Sequence, residues 1–114
     1  MNYLCLIYDD ENIFQTMPKA ELDAFMGDYR SFSESIRGSG HYVAGSQLQP
    51  VSAATTVRRR NGQLSTTDGP FAETKEQLGG YYLISARDLS EAIQIASRIP
   101  STRTGSVEVR PLVG

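Results

Sequence analysis

Asp68, Glu73, Lys75 and Glu76 bring three carboxylates and one ammonium within nine residues of each other, just ahead of Tyr81 and Tyr82. A carboxylate beside a partly apolar wall has its pKa raised towards general-base values. A nearby lysine or arginine can hold an anionic substrate or a developing oxyanion. Asp68 is therefore the main candidate for acid–base catalysis, with Glu73, Lys75, Tyr81, Tyr82 and Arg110 as substrate-binding candidates. The same residues also have an architectural reading. An Asp before Gly-Pro caps a turn through its own side chain, and Glu73, Lys75 and Glu76 pair along a helical turn or stay solvated.

The remaining chemistry is sparse. His41 is the only histidine, so any imidazole catalysis must use it, although its place at the start of a strand equally suits a hydrogen-bonded structural role. Arg110 carries a rigid donor fork suited to a carboxylate, with Asp68 or Glu73 as the expected partner. Asp9, Asp10 and Glu11 are adjacent acids, which rarely converge on one cation without further ligands, so a solvated loop is expected and no metal site. Cys5 stands alone in an apolar run and reads as an inert buried thiol. No Gly-rich phosphate loop, nucleophile elbow or HExxH spacing occurs.

The elements that must position these residues follow from periodicity. Asn2 to Tyr8 is a nearly continuous apolar run, as in a central strand covered on both faces. A helix begins near Pro18 and carries Leu22, Phe25, Met26, Tyr29, Phe32 and Ile36 on one stripe before Gly38 and Gly40 end it. His41 to Leu48 and Ala54 to Arg60 read as strands, and Asn61-Gly62 forms a two-residue type I′ turn into Gln63 to Thr67. Asp68 then sits where a strand ends. Gly69 and Pro70 force a turn there, because Pro70 has no N–H for a ladder and restricts the residue before it.

Gly80 to Ala86 is another strand, and Asp88-Leu89-Ser90-Glu91 has the capping spacing of a helix start. Its stripe is Leu89, Ala92, Ile93, Ala96 and Ile99, stopped by Pro100. Ser106 to Leu112 closes the chain as a strand with alternating apolar and charged faces. The order β-α-β-β-β-β-α-β gives an α+β, ferredoxin-like βαββαβ fold with an inserted β-hairpin. Tyr81 and Leu83 point to one face of their strand, Tyr82 and Ile84 to the other. Both sheet faces therefore need cover, and a second subunit supplies the one the helices leave open.

The run Asp68-Gly69-Pro70-Phe71-Ala72-Glu73-Thr74-Lys75-Glu76 closely resembles the signature of the DGPF (DGPFAETKE) branch of the YCII-related superfamily. Val43-Ala44-Gly45 with Leu48, Thr55-Thr56-Val57-Arg58 and Glu108-Val109-Arg110-Pro111-Leu112 agree in the family's order, so the resemblance spans most of the chain. It implies a dimeric α+β barrel in which Gly69, Pro70, Phe71, Gly79 and Gly80 are structural parts of the signature. It also implies kinship with lyases and isomerases of small cyclic compounds that need no bound cofactor. A His–Asp pair has been put forward as a catalytic dyad in the superfamily, but that histidine lies on the first helix, a position His41 does not match. Relatives encoded beside extracytoplasmic-function sigma factors imply an alternative, a non-catalytic metabolite-binding or regulatory homodimer tied to transcriptional control.

Composition narrows the classes. The chain has 114 residues, 39% hydrophobic and 21% charged, as expected of one folded domain over 1–114. A net charge of −2 argues against nucleic-acid binding, and the single basic run, Arg58-Arg59-Arg60, reads as a hairpin arm. No apolar stretch approaches the ~20 residues of a membrane span, and the lone cysteine fits a reducing compartment, with the cytoplasm as default. The partners expected are a second copy and a small molecule, with no nucleic acid, membrane or cofactor.

Overall fold

The structure, a computed structural model, describes all 114 residues. Strands β1 (Asn2–Asp9), β2 (Tyr42–Gln47), β5 (Gln77–Ser85) and β6 (Ser106–Pro111) form one antiparallel sheet in the order β2-β5-β1-β6. Strands β3 (Thr55–Arg60) and β4 (Gln63–Asp68) pair only with each other, as an arm inserted between the halves. This is the ferredoxin-like α+β fold with its hairpin insertion. β1 is central, as its unbroken apolar run requires.

Helices α1 (Glu11–Thr16), α2 (Lys19–Gly38) and α3 (Leu89–Ala96) complete the chain, with 3₁₀ turns at Val51–Ala53 and Pro100–Thr102. The sequence reading lacks α1, which is only six residues long and too short to show a periodicity. Its start is nevertheless signalled. Asp10 caps it by accepting from the Asn12 N–H at 3.0 Å.

One sheet face carries Tyr3, Cys5, Ile7 and Ile84, which close with Phe32 and Ile36 of α2 and Ala92, Ile95, Ala96 and Ile99 from α3 and its end. The α3 stripe differs from the expected one. Ile95 is buried, whereas Leu89 and Ile93 are about half exposed, because α3 turns its 92–95–96 edge to the sheet. The hairpin turn is as expected: Asn61 and Gly62 have φ of 52° and 76°, the pair of positive values a type I′ turn needs.

Cross-strand pairing places Ala44, Leu83, Leu4 and Arg110 in one row and Ser46, Tyr81, Leu6 and Glu108 in the next, on the face away from the helices. Leu4, Leu6, Tyr81 and Leu83 are only half-buried there. The molecule is a slab of 47 × 42 × 18 Å, one helix layer upon one sheet.

Candidate functional site

A cavity of about 660 Å³ opens between α1, α2 and the β2–β5 side of the sheet. Leu22, Phe25, Met26 and Tyr29 reach it from α2, Phe14 from α1 and Tyr42 from β2, joined by Tyr82 of β5. The wall is largely aromatic. Phe14 packs on Phe25 at 5.4 Å between centroids, Phe25 on Tyr29 at 5.5 Å, and Tyr42 on Tyr82 at 6.4 Å.

The polar content concentrates at the end of β1. Asp9 is 8% exposed, and both carboxylate oxygens accept hydrogen bonds, from Ser101 Oγ at 2.5 Å and Thr104 Oγ1 at 2.6 Å. Ser101 Oγ also meets the Tyr29 hydroxyl at 2.5 Å. With Asp9 ionised, the proton order follows from valence. The carboxylate only accepts, so the single Ser101 proton goes to Asp9 and Tyr29 must donate to Ser101. The Tyr29 oxygen keeps acceptor capacity. Burial pushes its phenol up to about 12, opposed by the Ser101 hydrogen bond and helped by the Asp9 charge.

Tyr82 is held by Ser33, hydroxyl to hydroxyl, at 2.6 Å, and burial raises its pKa against that hydrogen bond. Gly45 lets the ring come close against β2, since a Cβ there would stand 2.8 Å from Tyr82 Cδ1. Glu11 braces the loop after β2. Its carboxylate accepts from the Val51 N–H and its own N–H donates to Gln77 Oε1, both at 3.0 Å.

Of the residues singled out from sequence, Tyr82, Gly79 and Gly80 line this cavity, and Tyr81 borders it from the row that faces away from the helices. Asp68, Glu73 and Lys75 do not. Asp68 is exposed at the end of β4 opposite Thr55, while Glu73 and Lys75 are exposed in the loop before β5. Gly69 takes the turn with φ 101°, and its N–H donates to the Ala54 carbonyl at 2.8 Å. Pro70 follows in the turn, and Phe71 is 79% exposed, accepting through its carbonyl from Arg58.

His41 lies outside the cavity, with Nδ1 2.7 Å from Ser39 Oγ and Nε2 3.5 Å from Glu91. Arg110 pairs with Glu108 on its own strand rather than with Asp68 or Glu73, because residues two apart on β6 share a face. Asp9, expected in a solvated loop, is the buried acid of the site. Its signal was its parity with Tyr3, Cys5 and Ile7, which puts it on the covered face of β1.

The fold and cavity define a class: small ferredoxin-like α+β proteins with an aromatic pocket beneath the long helix. The chain belongs to the YCII-related domain family, whose model matches residues 1–114. It is 40% identical over 114 residues to the uncharacterized protein R00369 of Rhizobium meliloti (strain 1021), covering 98% of this chain and 92% of that one. Among solved structures it resembles TftG, the 5-chloro-2-hydroxyhydroquinone dehydrochlorinase of Burkholderia phenoliruptrix AC1100, in complex with 2,5-dihydroxybenzoquinone. The TM-score is 0.56 at 14% identity, over 99% of this chain and 94% of that one. At that identity the likeness shows the fold.

Proposed function

We propose that this protein is an enzyme acting on a small cyclic molecule by acid–base chemistry carried out by its own side chains. The observation that carries this reading is the hydrogen-bond chain Tyr29–Ser101–Asp9, which runs from an aromatic cavity to a buried carboxylate. A substrate proton passes to the Tyr29 oxygen as the Tyr29 proton moves to Ser101 and the Ser101 proton to Asp9. The substrate anion then regains a proton at another atom, an isomerisation, or expels a leaving group, an elimination. TftG, named as a dehydrochlorinase of a cyclic compound, supports the reading by fold analogy.

Within the family we place the chain in the DGPF branch, on the Asp68–Glu76 run. We also propose that a second copy covers the open sheet face, giving a homodimer. A reducing compartment such as the cytoplasm suits its single buried thiol. No helix is long and apolar enough to cross a membrane.

Proton exchange into substrate in D2O, followed by NMR over a panel of cyclic ketones, enols and phenols, tests the chemistry without knowledge of the product. Exchange is expected with the wild-type protein and to fall by about 10²-fold or more in Tyr29→Phe and Asp9→Asn. Tight binding of a panel member without exchange favours the metabolite-binding reading, and exchange unchanged in Tyr29→Phe removes the relay.

A further inference from the structure

Arg37 lines the cavity, near the C-terminal end of α2, and belongs to none of the molecule's ion pairs. Its guanidinium carbon lies over the Tyr42 ring, 4.4 Å from the centroid, and its side-chain N–H groups make no hydrogen bond within the chain. Glu34, one turn earlier, shares a shallow groove with it on the flank of α2 and makes no ion pair with it. The acids of the cavity, Asp9 and Glu11, lie at and just beyond the end of β1, with Asp9 linked to Tyr29 through Ser101. The cavity is thus polarised along α2, with carboxylates at the Tyr29 end and a free cation at the Arg37 end.

Tyr29 and Arg37 lie on the same helix about two turns apart, and aromatic side chains line the cavity, including Tyr82 pinned by Ser33. We propose that the cavity takes a planar cyclic carboxylic acid, its carboxylate on the Arg37 fork and a hydroxyl or enol oxygen on Tyr29. In the reverse orientation the carboxylate would face Asp9 and Glu11, so like-charge repulsion sets the direction. The proposal rests on the reading of the cavity as a small-molecule site, and it is independent of turnover.

Calorimetric titration with 4-hydroxybenzoate and with 4-hydroxybenzyl alcohol, the same ring without the charge, separates the two questions. The wild-type protein is expected to bind the acid about tenfold or more tightly than the alcohol, a preference that weakens as salt is raised. Arg37→Gln should erase the preference while leaving alcohol affinity within about twofold. Arg37→Lys should retain only part of it, since lysine lacks the bidentate fork. Arg30→Gln, on the same helix but outside the cavity lining, should keep it. Equal binding of both probes by the wild-type protein overturns the anion site and leaves the cavity reading standing. A preference that survives Arg37→Gln, or no binding of either probe, also overturns it. Acid binding without any proton exchange upholds the site and sinks the enzymatic reading alone.

Discussion

Tyr29 couples the site to stability through its proton. In the unfolded chain a tyrosine titrates at about 10, while burial holds the folded Tyr29 proton up to about 12. Below pH 10 both states keep the proton and the contribution is complete. Above it the unfolded chain ionises first, so the contribution is lost as pH rises and is gone by about 12. Two pKa units correspond to about 2–3 kcal/mol. Urea denaturation at stepped pH should therefore show the wild-type protein losing about that much more than Tyr29→Phe between pH 9 and 12. Cys5, pushed up to about 11 by burial, and Tyr82 shift in the same direction and remain in the variant, so the difference belongs to Tyr29. Equal alkaline limbs would show that the phenol is not held in the fold.

Among the elements, the seat of Asp9 is made by the loop that enters β6. A methyl group on Gly105 would stand 2.0 Å from the Tyr8 carbonyl oxygen and 2.6 Å from Asp9 Oδ1, so only glycine lets this loop close on the end of β1. Gly105→Ala is expected to cost about 1–3 kcal/mol by overpacking and to loosen the Thr104–Asp9 bond. Gly79→Ala, with nothing within 4 Å of the added carbon, should stay within about 0.5 kcal/mol. Chemical denaturation of the two variants checks the contrast, and equal costs would contradict the close approach. The long helix divides its stripe between two tasks. Phe32 and Ile36 close the core, whereas Leu22, Met26 and Tyr29 wall the cavity. Spacing places all five on one side of the helix without showing that the sheet lies under only part of it.

For the whole molecule, the open face is the unresolved demand. A chain of this length packed as a sphere-like domain has a radius of gyration near 13 Å, against 16.0 Å here. The excess comes from the slab form and the β3–β4 arm, which leave Leu4, Leu6, Tyr81 and Leu83 without a covering layer. Sedimentation velocity at micromolar concentration should give twice the 12.5 kDa chain mass. Leu83→Asp should return it to the chain mass with the helical signal kept, because its side chain points away from the core. A wild-type monomer would refute the homodimer.

Local chemistry in the sequence was enough to determine the six strands, the two longer helices and their order, though not the six-residue α1. Strand alternation, the α2 stripe, the Asn61-Gly62 turn and the Asp88 cap each act within a few residues, and a βαββαβ pattern with a hairpin has few ways to close. Alternation along β5 also set Tyr82, which lines the pocket, on the face opposite Tyr81 and Leu83. The acid at that pocket was decided by tertiary structure. The Asp68–Glu76 run is dense in charge but sits on the exposed arm and its return loop, whereas Asp9 lies among three consecutive acids that looked solvated. Its burial depends on Ser101 and Thr104, more than ninety residues away, and on a glycine that lets their loop close over it. The parity of Asp9 with Ile7 gives only its face of β1; partners at such sequence distance leave no local signal, and folding alone brings Tyr29, Ser101 and Asp9 into one chain of hydrogen bonds.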